Sequence, residues 1–158
     1  MSDEKPNVVV RWERGDVVFT DGRYPRAHAW IFDGITVPAS SSPGVVRVPL
    51  SKEDAVDPEE ALCASLSACH MLFVLDFARK AGFRIDVYED KVFAEFGKTE
   101  RGKTLIAKVT LNPHITFSGE KAPTQEDVAA LHDKAHDECF VANSLRSELV
   151  ITPTFSMA

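Results

Sequence analysis

Only three cysteines occur in 158 residues. An odd, low number of this kind does not build a secreted disulfide framework, so each thiol becomes a candidate for reactivity. Basic charge is also scarce: 18 Lys and Arg stand against 24 Asp and Glu, for a net charge of −6. Phosphate backbones are held by clustered cations that release counterions, so nucleic acid is not an expected partner. The first ten residues, MSDEKPNVVV, lack the basic-then-apolar order of a signal peptide, and a cytoplasmic location is expected. The longest apolar run, 61–78, is interrupted by Ser65, Ser67, His70 and Asp76 and reads as a buried helix rather than a membrane span. Repeats and low-complexity tracts are absent. A hydrophobic share of 44% and a charged share of 27% suit one soluble domain over 1–158, with 1–6 expected as a flexible N-terminus.

The pattern predicts an α+β domain. Residues 7–12 and 16–20 flank Glu13-Arg14-Gly15 and predict a hairpin, with a third strand over 27–32 and a turn at Asp33-Gly34. From 38 to 57 the chain is rich in Ser and Pro and reads mainly as loop. Asp57-Pro58-Glu59-Glu60 carries a cap, a proline suited to the first helical position and a capping-box acid. The helix should run to about residue 81 and stop at Gly82, with apolar side chains on nearly every face and therefore cover on most sides. Alternation in 83–87 and 105–111 predicts two long antiparallel strands around a turn near Gly102. Thr124 caps a second helix reaching Cys139, and 148–155 reads as a closing strand. The architecture expected is an antiparallel sheet with a long buried central helix and a second helix.

Three side-chain groups could carry chemistry. Cys69 lies mid-helix and Cys139 ends the second helix, whereas Cys63 reads as a small apolar filler. His132, His136 and Cys139 fall at i, i+4 and i+7, one helical stripe. Two readings stand side by side: with Cys69 the stripe could hold zinc, or Cys139 could be a redox partner. His70 adjoins Cys69 in sequence only, since neighbouring helical residues point in different directions.

The segment Asp57-Pro58-Glu59-Glu60-Ala61-Leu62 through Ser67-Ala68-Cys69, together with Ala135-His136-Asp137-Glu138-Cys139, resembles the two cysteine motifs of the OsmC/Ohr family of hydroperoxide reductases. The order of elements resembles that family over nearly all of 7–155. The resemblance implies a peroxidatic Cys69, a resolving Cys139, a site glutamate at Glu59 and a site arginine at Arg26, with Arg23 as the other candidate. It further implies recycling by an external dithiol, often a lipoyl group, with no bound cofactor and no metal. His70-Met71 after the first cysteine and Phe140-Val141-Ala142-Asn143 after the second depart from the reductases, and place the chain nearer a less characterised OsmC-like branch.

These residues suit that chemistry. A thiolate attacks one peroxide oxygen while the other leaves as an alcohol, yet an ordinary cysteine has a pKa of about 8.5 and is mostly protonated at neutral pH. An arginine favours the thiolate and can bond the developing anion, and a glutamate can orient the arginine. Attack gives a sulfenic acid, which a second thiol converts to a disulfide. Apolar Leu66, Leu72, Phe73 and Phe77 would favour an organic peroxide, unless they simply pack the core.

Ten residues of helix rise roughly 15 Å, so Glu59 and Cys69 of one helix cannot touch. Two copies crossing near Ala64 would bring Glu59 of one towards Cys69 of the other, and Ala61, Ala64, Ser65 and Ala68 are small enough to permit it. A two-fold homodimer with composite sites is expected. The competing reading is a non-catalytic module that binds a hydrophobic ligand or zinc.

Overall fold

The computed structural model describes residues 5–158. The first four positions of the N-terminus expected to be flexible lie outside the described residues. The chain divides into two compact units, 1–61 and 62–158, with the boundary inside a helix.

The first unit holds a three-stranded antiparallel sheet in the order β1 (Val9–Arg11), β2 (His28–Phe32), β3 (Ile35–Ala39). The turn at Asp33-Gly34 joins β2 to β3, with Gly34 at φ +76° where a side chain would be strained. The hairpin expected between 7–12 and 16–20 does not form, because β1 pairs with β2 instead. Residues 16–20 fold into a loop closed by aromatic packing. Phe19 stacks on Tyr24 at 4.7 Å, Trp12 meets Tyr24 edge-on at 5.5 Å, and Trp12 Nε1 donates to the Pro25 carbonyl at 2.8 Å. These ring contacts take Phe19 out of any strand register. β3 also extends into Pro38-Ala39, where loop was expected. The following segment folds back alongside it: Ser40 N–H donates to Val56 O at 3.0 Å and Val56 N–H to Pro38 O at 3.1 Å.

Helix α1 (Pro58–Ala81) starts and stops where its sequence dictates. Asp57 Oδ1 accepts from Glu60 N–H at 2.8 Å, and Glu60 Oε2 accepts from Asp57 N–H at 3.2 Å, a reciprocal capping box. At the far end Gly82 N–H bonds Arg79 O and Phe83 N–H bonds Ala78 O, with Gly82 at φ +82°, a Schellman stop. The helix is long and apolar enough to cross a membrane by length and composition. Within the chain only Leu66, His70, Val74 and Ala78 are buried, a single i, i+4 stripe rather than the expected cover on most sides.

The second unit continues with β4 (Arg84–Asp90), β5 (Phe93–Lys98), β6 (Thr104–Leu111), β7 (Pro113–Ser118), α2 (Gln125–Glu138), α3 (Phe140–Asn143), β8 (Glu148–Ile151) and β9 (Thr154–Met157). Two three-stranded sheets form, in the orders β4-β7-β9 and β5-β6-β8. The turn near Gly102 is present, but it joins β5 to β6, so the expected pairing of 83–87 with 105–111 is replaced by β4 with β7 and β5 with β6. A tight turn can only join strands that flank it directly, and β5 is the one that does. The expected closing strand is two, because Pro153 has no N–H to continue a ladder. β8 then pairs parallel with β6 and β9 parallel with β7, which adds parallel edges to the antiparallel pairs.

Thr124 caps α2 through a reciprocal box with Asp127. One core cluster joins Val74 and Ala78 of α1 and Val128, Leu131 and Ala135 of α2 to Ile115 and Phe117 of β7. A second joins Leu66 of α1 to Val109 and Leu111 of β6 and to Cys139. The cysteine therefore sits inside a core, between two helices.

Candidate functional site

Cys139 terminates α2 with extended backbone (φ −65°, ψ 112°) and at once caps α3. Its N–H bonds Ala135 O at 2.9 Å, and its Sγ accepts from Ala142 N–H at 3.4 Å. The side chain is wholly buried, while Cys69 on α1 is half-buried and packs against the same cluster. Burial pushes the Cys139 thiol up, and direct interaction with the Cys69 side chain adds to this. The Ala142 N–H pulls the other way and does not prevail. Cys63 packs on this cluster too.

The histidine stripe divides. His132 turns into the core, where its Nδ1 lies 2.8 Å from His70 Nε2, while His136 is exposed. Four residues advance a helix slightly past a full turn, and at the rim of a buried face that suffices to bring one ring in and leave the other out. Among the described residues no group of three or more His, Cys, Asp or Glu is disposed to hold a metal ion. The zinc alternative through His132, His136, Cys139 and Cys69 accordingly lacks its ligand set.

In the first unit, Arg26 is held by its own neighbourhood. Its guanidinium donates to Gly22 O at 2.9 Å and to Tyr24 O, and lies 3.8 Å from the centre of the Tyr24 ring. The Arg26 N–H donates to Leu50 O at 2.7 Å, and His28 Nδ1 donates to Arg26 O at 2.7 Å. Trp30 Nε1 donates to the other His28 nitrogen at 3.0 Å, which fixes His28 as the Nδ1–H tautomer. Arg23 is exposed, and its backbone N–H bonds Asp21. Glu59 is half-buried, with Oε2 buried and without a hydrogen-bond partner among the described residues. Among the described residues no ion pair joins Arg26 to Glu59. Of the four site residues expected from the sequence, the two cysteines interact, Arg26 is engaged by Gly22 and Tyr24, and Glu59 keeps a buried oxygen unbonded among the described residues.

The apolar residues expected around Cys69 take different roles. Leu66 is core, Phe73 packs on both clusters, Phe77 packs on one, and Leu72 is exposed. Phe140, expected only as a departure from the second cysteine motif, meets Phe73 edge-on at 5.5 Å and is 73% exposed. An apolar residue directly after a helix-ending cysteine was the available signal. Ser67 and Asp90, joined at 2.5 Å, were also missed. No local pattern connects residues on different elements.

The chain is thus an α+β domain in which two cysteines interact, one half-buried on a long helix and one buried at a helix end. Residues 51–154 match the family described as OsmC-like protein, and the chain belongs to that family. An OsmC-like protein of unknown function from Vibrio cholerae is 44% identical, with 96% of this chain and 99% of that one covered at a TM-score of 0.92. An organic hydroperoxide resistance protein from Elizabethkingia anophelis shares the fold at 18% identity, with full coverage of both chains and a TM-score of 0.64. Another from Bacillus subtilis does so at 16% identity, 98% and 100% coverage and a TM-score of 0.62. No curated protein matches the chain.

Proposed function

We propose that the protein is a cytoplasmic thiol peroxidase that reduces organic hydroperoxides, lipid hydroperoxides among them, to alcohols. The observation that carries this reading is the unequal burial of the two interacting thiols: Cys69 is half-buried, and Cys139 is wholly buried, where desolvation pushes its thiol up. The Cys69 thiolate attacks the peroxide, an alcohol leaves, and Cys69 becomes a sulfenic acid. The Cys139 thiol then displaces the hydroxyl as water and closes the Cys69–Cys139 disulfide. An external dithiol, of the lipoyl type, reduces the disulfide and restores both thiols. Two relatives of the same fold are named for resistance to organic hydroperoxides, which supports the same class of substrate.

Arg26 is assigned to bond the peroxide and Glu59 to orient the arginine, in a homodimer where each site draws on both copies. The exposed Ala64, Ser65 and Ala68 on α1 give a small-residue face on which a second α1 can cross closely. Sedimentation of an active monomer would rule out the composite site. The exposed Leu72 and Phe140 also suit a competing reading, a non-catalytic module that binds a hydrophobic ligand.

The test is consumption of tert-butyl hydroperoxide and hydrogen peroxide with dihydrolipoamide as reductant. Turnover that prefers the organic peroxide, vanishes in Cys69→Ser and accumulates sulfenic acid in Cys139→Ser is expected. No turnover with either peroxide, from a protein whose thiols titrate as free, would replace the enzyme by the binding module.

A further inference from the structure

One buried polar pair is not used by this chemistry. His70 is 0% exposed and His132 is 2% exposed; their facing nitrogens lie 2.8 Å apart, and the ring planes are 16° apart. His70 follows Cys69 on α1, and His132 stands two turns before Cys139 on α2. Their flanking residues, Val74 on α1 and Leu131 and Ala135 on α2, belong to the apolar core.

Hydrogen-bond bookkeeping shows the pair to be costly. A neutral imidazole has one donor and one acceptor, and one bond between two rings uses one of each. His70 Nδ1 and His132 Nε2 are left buried with no partner among the described residues. Whichever ring donates, one N–H stays unbonded, and a buried donor without an acceptor is destabilising. Burial holds both rings well below the ordinary histidine range, at about 4, so the pair is neutral at pH 7 and gains nothing from charge. Two leucines would pack the same space without an orphaned donor. Stability therefore does not account for the pair.

A hydrogen bond supplies what apolar packing lacks, namely direction. The core around the pair is otherwise apolar, and apolar contacts are non-directional, whereas a 2.8 Å bond fixes one helix against the other at one position. We propose that His70 and His132 are positioning residues for the Cys69–Cys139 couple, setting the register of α2 on α1 so that the buried thiol meets its partner. The inference rests on the reading of Cys69 and Cys139 as peroxidatic and resolving thiols. It assigns the histidines to disulfide closure, in which Cys69–SOH and Cys139–SH give the disulfide and water, and not to peroxide attack.

The experiment compares wild type with His70→Leu, His132→Leu and two conservative variants. His132→Asn places an amide atom near the Nδ1 position, and His70→Gln places one near the Nε2 position. A stoichiometric pulse of cumene hydroperoxide is followed by rapid alkylation and peptide mass spectrometry, with denaturation midpoints measured in parallel. Peroxide consumption should stay within about twofold of wild type in all four. Disulfide closure should slow about tenfold in the leucine variants, the scale of one lost hydrogen bond, even where their midpoints equal or exceed wild type. The amide variants should recover most of the rate. Closure at the wild-type rate in the leucine variants, or a loss that follows stability alone, would overturn the proposal.

A second measurement separates this inference from the peroxidase reading. The Cys69–Cys139 equilibrium is titrated against glutathione, without peroxide. If wild type ignores peroxide yet forms this disulfide, the enzyme reading fails, and a tenfold weaker disulfide in the leucine variants still supports positioning. An unchanged constant, or no Cys69–Cys139 disulfide from either oxidant, rejects it.

Discussion

Ser67 donates a 2.5 Å hydrogen bond to one carboxylate oxygen of Asp90, and the other oxygen accepts the Asn112 N–H at 2.7 Å. Asp90 thus joins α1, two residues before Cys69, to the end of β4 and to the turn between β6 and β7. Asp90→Ala removes both acceptors and leaves a part-buried hydroxyl and a backbone N–H without them. A loss of about 1–3 kcal/mol is expected, against about 1 kcal/mol for Ser67→Ala, which removes one bond only. Urea unfolding with an unchanged m value would measure both.

Tyr88 gives the opposite case. Its Oη is buried without a hydrogen-bond partner among the described residues, and burial, with Asp90 nearby, pushes the phenol up and keeps it protonated. Tyr88→Phe removes an unsatisfied polar atom while keeping the ring against the core cluster. Stability should hold or rise by up to about 1 kcal/mol. A loss above that in thermal unfolding would show that the hydroxyl has a partner in solution.

Both residues show which parts of the fold could be read from the sequence. The caps at Asp57 and Thr124 and the stop at Gly82 were legible because their hydrogen bonds join residues within one turn. Cys69 and Cys139 were legible as a couple through a family resemblance, not through spacing. Strand partners were not legible: alternation shows that 105–111 is a strand without showing which strand lies beside it. Val17-Val18-Phe19 is apolar enough for a strand, yet Phe19 is taken by Tyr24 and Trp12. The His70–His132 contact spans 62 positions, and the stripe of His132 and His136 suggested a common ligand although one ring is buried and the other exposed.

The unequal burial of the two thiols predicts unequal alkylation. Iodoacetamide needs access and a thiolate, and Cys139 offers neither, being wholly buried with its thiol pushed up. In the folded, reduced protein Cys139 should be labelled at least about a hundredfold more slowly than in urea, and more slowly than Cys69. Peptide mass spectrometry distinguishes these sites from Cys63. Equal labelling of Cys69 and Cys139 would show that the end of α2 opens freely.

Acid should destabilise the protein earlier than its carboxylates alone would allow. His70 and His132 titrate at about 4 when folded, against 6.5 for an ordinary histidine, with burial the leading cause for each. Above pH 6.5 both states are neutral at these rings, and the stability is fully present. Between 6.5 and 4 the unfolded chain takes up protons that the folded chain refuses, so stability falls as pH falls. Below about 4 both states are protonated and the loss is complete. The loss is on the order of 3 kcal/mol per ring, from roughly 1.4 kcal/mol for each pH unit. Asp76, bonded to Lys80 and Arg79, and Asp127, bonded to Thr124, have carboxyls held below the ordinary range. They give up their contribution only at lower pH, below the interval in which His70 and His132 act. A double His70→Leu, His132→Leu variant should flatten the stability profile across that interval. A wild-type profile level from pH 7 to 4.5 would mean that the two rings accept protons without leaving the core.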